Sequence, residues 1–558
     1  MASAGELSSK SSSSSIDEVN GDVVLGPDLN QSRSSMDRKV YRQIIIRKNG
    51  LRALLISDTV AMGQKTEQGE FGPDESGYDS ETSSIEIQEG DGDANEWSDV
   101  NDGEENSVET VDDEEDEEEG EQGIRHAAAA LSVGCGSYHD PEHAQGLAHF
   151  LEHMLFMGTE RYPEENAYSA FVSRCGGSDN AYTELEETVY HFEVPQETLS
   201  EALDMFSQFF VSPLLKEEAA GRELNSIESE FQLSKNTDGC RLQQLMCHTA
   251  KSAKEHPFGK FSWGNLQSLK TDPEKNCVNM MSELRKFYDQ YYYAANMRLV
   301  VCGAYSIDEL QSLVVKCFSD VPAEPRVASP LLMISQNPGT WEETRRSPIA
   351  DYGMPFPQAS LGKIYRVVPV KDRHTLSITW QVPPQGKNWR SKPCDYIGHL
   401  LGHESQGSIL STLKERSWVT SCHAGVGSSG YENSSSHALF SIGFSLSEQG
   451  VSHWAEILSE LYIYIGMIRH YCQSKEGLPS YVYEELRAIQ NVAYKFQNEA
   501  MPDELVEDIV EEMMEDLPPQ RLLEDETDES AVSVPLPNVD DIMSTRALSG
   551  VKKLSRIF

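Results

Sequence analysis

His149 and His153 stand four residues apart, with Glu152 between them, inside Gly146-Leu147-Ala148-His149-Phe150-Leu151-Glu152-His153-Met154-Leu155. Leu147, Phe150, Leu151, Met154 and Leu155 recur at helical spacing, which predicts one amphipathic helix whose apolar stripe enters a core. Residues i and i+4 share a helical face, so both imidazoles turn the same way and the carboxylate of Glu152 sits beside them. A catalytic zinc takes three protein ligands and leaves its fourth position to water. The pattern therefore demands that a distant acidic or imidazole-bearing segment fold against this helix. The order His-x-x-Glu-His inverts the commoner zinc-protease motif.

Lys216 to Ser234 supplies such a segment. It reads as a second helix with Leu224, Ile227 and Phe231 inward, and Glu223 and Glu230, seven residues apart, share a face. Spacing alone allows either carboxylate to complete the set.

Arg222-Glu223-Leu224-Asn225-Ser226-Ile227-Glu228-Ser229-Glu230 resembles the second zinc-site segment of the inverzincin metallopeptidases, the family of insulin-degrading enzyme, pitrilysin and nardilysin. Its last Glu follows His153 at that family's separation, 77 residues (153 to 230). Gly176-Gly177-Ser178-Asp179-Asn180-Ala181, Gly259-Lys260-Phe261-Ser262-Trp263-Gly264-Asn265, Tyr365-Arg366-Val367-Val368-Pro369 and Gly402-His403-Glu404 extend the similarity over roughly residues 40 to 515. The resemblance implies one zinc ion held by His149, His153 and Glu230, with Glu152 as general base and Glu223 as an outer carboxylate that orients a ligand. It also implies an α+β fold: two tandem homologous α/β-roll domains, mainly antiparallel sheet packed with helices, the second incomplete. In that family a sheet edge takes the substrate as an added strand, which points to Asn180, Ala181 and Tyr182. Family members carry four such domains in two halves that close on a peptide. The implied partner of this chain is then a C-terminal half chain or a dimer mate that adds further substrate-holding groups.

Between Lys65 and Arg125 no Lys or Arg occurs, and 25 Asp and Glu do. An acidic insertion at 66–123, between the opening hairpin and the metal helix, resembles that of the nardilysin branch. The branch implies cleavage of peptides at basic residues, on the N-terminal side of Arg in dibasic pairs. A different class of function is a zinc-containing but catalytically weak binding protein that grips basic partners through the insertion. The net charge of −45 excludes nucleic acid as a natural partner and favours basic peptides or polybasic surfaces.

Ten cysteines are scattered without Cys-x-x-Cys spacing, as in reduced intracellular proteins. The Ser-rich start lacks the apolar core of a signal peptide and the Arg-rich pattern of a transit peptide, and no apolar run reaches membrane-spanning length. A cytoplasmic protein is expected.

Along the chain, residues 1–38 read as disordered, 39–335 as the zinc-peptidase domain, 336–360 as a linker, 361–516 as a second, non-catalytic domain and 517–558 as a polar tail. Tyr41 to Arg47 and Leu51 to Ser57 are β-rich runs joined at Asn49-Gly50, which predicts a type I′ hairpin. Ala127 to Val133 and Thr188 to Val194 read as further strands, and Leu199 to Phe210 as an amphipathic helix. In the second unit, strands are expected at Tyr365 to Val370 and Thr375 to Val382, and one long helix from Val451 to Arg469. His399 and His403 repeat the i, i+4 spacing, but Leu401-Gly402 occupies the base position and no later Glu pair is evident, so a structural role is expected there.

Overall fold

A computed structural model of the chain describes residues 21–59, 125–336, 339–341, 344–474, 480–515 and 518–523. The acidic insertion at 66–123, the first twenty residues and nearly all of the polar tail lie outside the described residues. Seven strands form one sheet: β1 (Val23–Leu25), β2 (Val40–Ile46), β3 (Arg52–Ser57), β4 (His126–Val133), β5 (Ser178–Thr183), β6 (Thr188–Pro195) and β7 (Met297–Gly303). Their order is β1-β2-β3-β7-β4-β6-β5. Every pairing is antiparallel except β3 with β7.

Val23 is buried and pairs opposite Ile46, and Leu29 is buried as well, so order begins well before residue 38. The hairpin between β2 and β3 is where it was expected, but its turn is not type I′. Ile46 N–H donates to Leu51 O across a four-residue loop, and only Gly50 has positive φ, at 79°. Asn49 keeps negative φ because its Nδ2 is committed to the carbonyls of Phe318 and Val321.

Both faces of the sheet are covered, so β3, β4 and β7 read as nearly continuous apolar runs rather than alternating ones. One face packs Leu55, Ala129, Leu131, Phe192 and Val301 against Phe150, Leu151, Leu203, Phe206 and Phe210. The other packs Leu54, Ile56, Ala128, Ala130 and Val300 under Val506, Ile509 and Val510 of the helix Pro502–Glu512. That helix falls within the expected second domain, yet it caps the first sheet. Its apolar stripe at i, i+3 and i+4 fixes a buried face but cannot name the surface that buries it.

The expected linker carries a small hairpin, β8 (Ile334–Gln336) with β9 (Thr344–Arg346), and a buried Ile349. Beyond it β10 (Thr375–Val382), β11 (Val419–Val426) and β12 (Ala438–Leu446) form a second sheet in the order β10-β12-β11. Its core joins Ile397, Leu401, Leu413, Phe440, Ile442, Phe444, Ile457 and Leu461. Tyr365 to Val370 is not a strand. Val368 is 80% exposed, and the segment is held instead by Asp238, which accepts from Val370 N–H, and by Arg241, which donates to Val368 O. The long helix breaks at His453, which stacks on Trp418 with ring centroids 4.4 Å apart, and resumes as Trp454–Gln473.

The two units repeat one another. In the first, β4, the helices Leu147–Leu155 and Ala167–Arg174, β5, β6 and the helices Leu199–Val211 and Glu217–Ser234 follow in that order. In the second, β10, the helices Pro393–Gly402 and Ile409–Glu415, β11, β12, the short helix Glu448–Ser452 and the helices Trp454–Gln473 and Ser480–Lys495 do the same. The pairing β4-β6-β5 matches β10-β12-β11.

Candidate active site

The helix Leu147–Leu155 starts at Gly146, with φ at 94°. Asp140 satisfies its free N–H groups from outside, accepting from Gly146 N at 2.6 Å and Ala148 N at 2.8 Å. A side chain at Gly146 would meet Gly264 Cα at 2.2 Å, so two glycines let the backbones touch. That contact brings the Trp263 carbonyl to 2.7 Å from His149 Nδ1. A carbonyl can only accept, so Nδ1 carries the proton and Nε2 keeps its lone pair.

His153 is oriented in the same way. Its Nδ1 lies 3.3 Å from Glu223 Oε2, and its Nε2 lies 3.3 Å from His149 Nε2. The helix Glu217–Ser234 packs its Leu224 and Ile227 into the core, which turns Glu223 and Glu230 towards the rings. Glu230 spans both, with Oε2 at 3.4 Å from His149 Nε2 and Oε1 at 3.5 Å from His153 Nε2. The spacing left Glu223 and Glu230 equivalent; the structure separates them, one behind a ring and one between the two inner nitrogens.

Glu152 is 7% exposed and accepts from Thr183 Oγ1 at 2.6 Å. Single donor atoms of His149, Glu152 and His153 also fall within 4.8 Å of one another. Two carboxylates thus compete to complete a three-ligand set. Glu230 bridges the two Nε2 atoms with one oxygen each, whereas Glu152 is tied to β5 through Thr183, so Glu230 is the better third donor.

The charges agree with a cation-seeking site. Burial disfavours charge on all three groups, yet His149 and His153 are both raised, His153 to about 10, by the facing carboxylates. Burial likewise opposes ionisation of Glu230, but hydrogen bonds from both rings hold it down to about 2. The space between the two rings and Glu230 is thus one that stabilises positive charge.

These residues line a cleft of about 620 Å³ whose wall includes Asn180, Ala181 and Tyr182 of β5, the outermost strand of the sheet. Tyr182 OH donates to Glu511 on the capping helix at 2.7 Å. Tyr431 of the second unit closes the far side, hydrogen-bonded to Ser262 at 2.6 Å. Among the residues lining the cleft are Glu152, Asp179, Glu184, Glu223 and Glu230, and neither Lys nor Arg. Burial raises the carboxyls of Glu184 and Glu511 and lifts nearby Glu187 to about 8.

Asp140, Thr183 and Trp263 are positioning residues that the sequence reading missed. Trp263 acts through its carbonyl, so side-chain chemistry gave no signal, although the glycine flanking it in Trp263-Gly264 marks a close backbone approach. Cys135, Cys175, Cys240, Cys247, Cys277, Cys302, Cys317, Cys394 and Cys422 are free thiols. Among the described residues no helix is long and apolar enough to cross a membrane.

The family described as insulinase (peptidase family M16) matches residues 119–256, and the peptidase M16 inactive domain matches residues 281–476. A nardilysin-like protein of Arabidopsis thaliana is 42% identical over 390 residues, covering 70% of this chain and 35% of the relative. Nardilysin of Rattus norvegicus is 39% identical over 389 residues, 70% of this chain and 31% of its own length. Insulin-degrading enzyme of Bos taurus is 37% identical over 377 residues, 67% of this chain and 34% of its own length. The chain thus spans about a third of the length of these relatives. The crystal structure of pitrilysin superposes with a TM-score of 0.71 at 22% identity, over 94% of this chain and 46% of that one, a likeness of fold.

Proposed function

The chain belongs to peptidase family M16, and from that premise we propose that its cleft is the site of a zinc metalloendopeptidase, with His149, His153 and Glu230 as ligands. The observation that carries the reading is the convergence of two Nε2 lone pairs and both oxygens of Glu230 on one point. Two imidazoles and a carboxylate are a donor set suited to catalytic zinc. When bound there, zinc polarises a peptide carbonyl and makes water acidic enough to ionise near neutral pH.

The protein's own residues do the rest. Glu152 takes the proton of the attacking water and returns it to the leaving amine. Thr183 holds one oxygen of Glu152 and leaves the other for that exchange. Trp263 and Glu223 fix the tautomers of the two rings. The free edge of β5 at Asn180, Ala181 and Tyr182 binds the substrate backbone as an added strand.

Peptides with basic residues are the proposed substrates. Among the described residues the wall of the cleft holds five carboxylates and no Lys or Arg, and Glu184 is a desolvated acid that an incoming cation would relieve.

A fluorogenic peptide containing an Arg-Arg pair, incubated with the purified 558-residue chain, tests the proposal. Cleavage should vanish with a chelator and return with zinc. Glu152→Gln should lower turnover by about 10²–10⁴ while leaving zinc content unchanged. Undiminished turnover in that variant would refute the role of Glu152. Tight binding of the peptide without cleavage would instead favour the binding-protein function.

A further inference from the structure

We infer that the loop 427–437 of the second unit is a positioning element of the proposed peptidase site, fastened to it at Glu186 and Tyr431; the inference rests on the peptidase reading. The loop joins β11 to β12, and by the internal repeat its counterpart in the first unit is the turn 184–187 between β5 and β6. The turn has four residues (184 to 187) and the loop eleven (427 to 437). The added length reaches across to that same turn. A side chain at Gly430 would meet Glu184 Oε2 at 2.8 Å, so the loop backbone lies directly against it.

Glu186 is the first fastening. Its Oε1 accepts from the N–H and the hydroxyl of Ser435, both at 2.8 Å, and its Oε2 accepts from Ser347 Oγ at 2.7 Å. Burial raises this carboxyl, and apolar side chains would join the same surfaces without that desolvation penalty. What the carboxylate adds is direction, because its hydrogen bonds fix where the turn sits. Thr183, the last residue of β5, stands three positions before Glu186 and holds Glu152 Oε2 at 2.6 Å. A turn that shifts therefore carries the hydroxyl that aims the base with it.

Tyr431 is the second fastening. Its OH is hydrogen-bonded to Ser262 at 2.6 Å, one residue before the carbonyl of Trp263 that orients His149. Its ring is buried with Tyr138, Leu185, Phe258 and Leu439, edge-on to Phe258 with centroids 5.7 Å apart. The two fastenings belong to one stiff loop, since His437 Nε2 donates to the Tyr431 carbonyl at 3.2 Å and Ser434 N–H to the His437 carbonyl at 2.9 Å. One segment of the second unit thus steadies both the strand that aims the base and the loop that aims a ligand.

The full chain is assayed for zinc affinity by chelator competition and for kcat on an Arg-Arg fluorogenic peptide with zinc saturating. Tyr431→Phe keeps the buried ring and removes one hydroxyl, and zinc affinity should fall about tenfold, as for groups that orient a ligand. Glu186→Ala should lower kcat about 10- to 100-fold, as small displacements of reacting groups do, with zinc affinity held within about twofold. Glu186→Gln keeps an oxygen for the Ser435 N–H and should recover most of that loss. Wild-type zinc affinity in Tyr431→Phe, or wild-type kcat in Glu186→Ala, overturns the inference. So does a parallel fall of both quantities in each variant that tracks lost stability in urea, the mark of a merely structural junction. Failure of the peptidase reading shows in the wild type itself, which would then bind no zinc or cleave nothing, and it takes the inference with it.

Discussion

His149 Nδ1 donates to the backbone carbonyl of Trp263 at 2.7 Å, so the tautomer of one imidazole of the proposed metal site is set by a loop 114 residues away in sequence. The loop is held there by the contact of Gly146 with Gly264 and by Lys260, which donates to the carbonyls of Tyr138 at 2.5 Å and Asp140 at 2.6 Å.

Gly146→Ala should therefore damage the site without touching a ligand. Its Cβ would meet backbone at 2.2 Å, and φ at 94° is strained for alanine. Such strain costs about 1–3 kcal/mol. Zinc affinity should fall about 10- to 100-fold as the Trp263 carbonyl moves. Zinc competition beside urea unfolding measures both, and wild-type affinity in the variant would contradict the coupling.

Glu223 and Glu230 should separate cleanly on substitution. Glu223→Ala removes only the partner of His153 Nδ1, for a loss of about 10- to 100-fold in zinc affinity. Glu230→Ala removes the group facing both Nε2 atoms and should cost more. The reverse ranking in a chelator competition would reassign the third ligand.

Ile509→Ala tests whether Pro502–Glu512 belongs to the first sheet. Ile509 is 5% exposed beneath that sheet, and truncation of such a residue costs about 2–5 kcal/mol. Hydrogen exchange should accelerate in β4 and β7 and stay unchanged in β10 and β12. The opposite pattern would return the helix to the second unit.

Acid should loosen the junction of the two units. His256 accepts from Phe258 N–H at 3.0 Å on Nδ1 and donates from Nε2 to the Gly353 carbonyl at 2.8 Å, an arrangement that only a neutral ring satisfies. Burial lowers His256 to about 4, and His437, with ring centroid 6.1 Å from it, also to about 4. The ordinary value is 6.5, so between these limits the unfolded chain binds more protons and stability rises with pH. Their contribution is present above about 6.5 and is lost as pH falls through about 4. Glu187, raised to about 8 by burial, acts in the other direction, so the comparison must be between variants. Wild type should exceed His437→Gln in stability at pH near 7, and the gap should narrow at pH near 5 in urea titrations. A constant gap would mean that His437 titrates normally.

Much of the site was legible because its chemistry is local. His149, Glu152 and His153 share one turn, and helical geometry alone aims them together. The strands β2, β3, β4 and β6 were also readable, since apolar runs and a hairpin turn are short-range signals. Three features were not. The turn type at Asn49 depended on carbonyls of Phe318 and Val321, Tyr365 to Val370 was held by Asp238 and Arg241 instead of a sheet, and the helix near His453 broke around Trp418.

The sequence by itself determined that two imidazoles and an acid would face one way from a buried helix, because i, i+4 periodicity is a property of the backbone. Only the tertiary structure decided that Glu230 faces both rings while Glu223 stands behind one, and that Pro502–Glu512 covers the first sheet. Those choices depend on which surfaces meet, and an amphipathic stripe encodes the need for burial without encoding the partner.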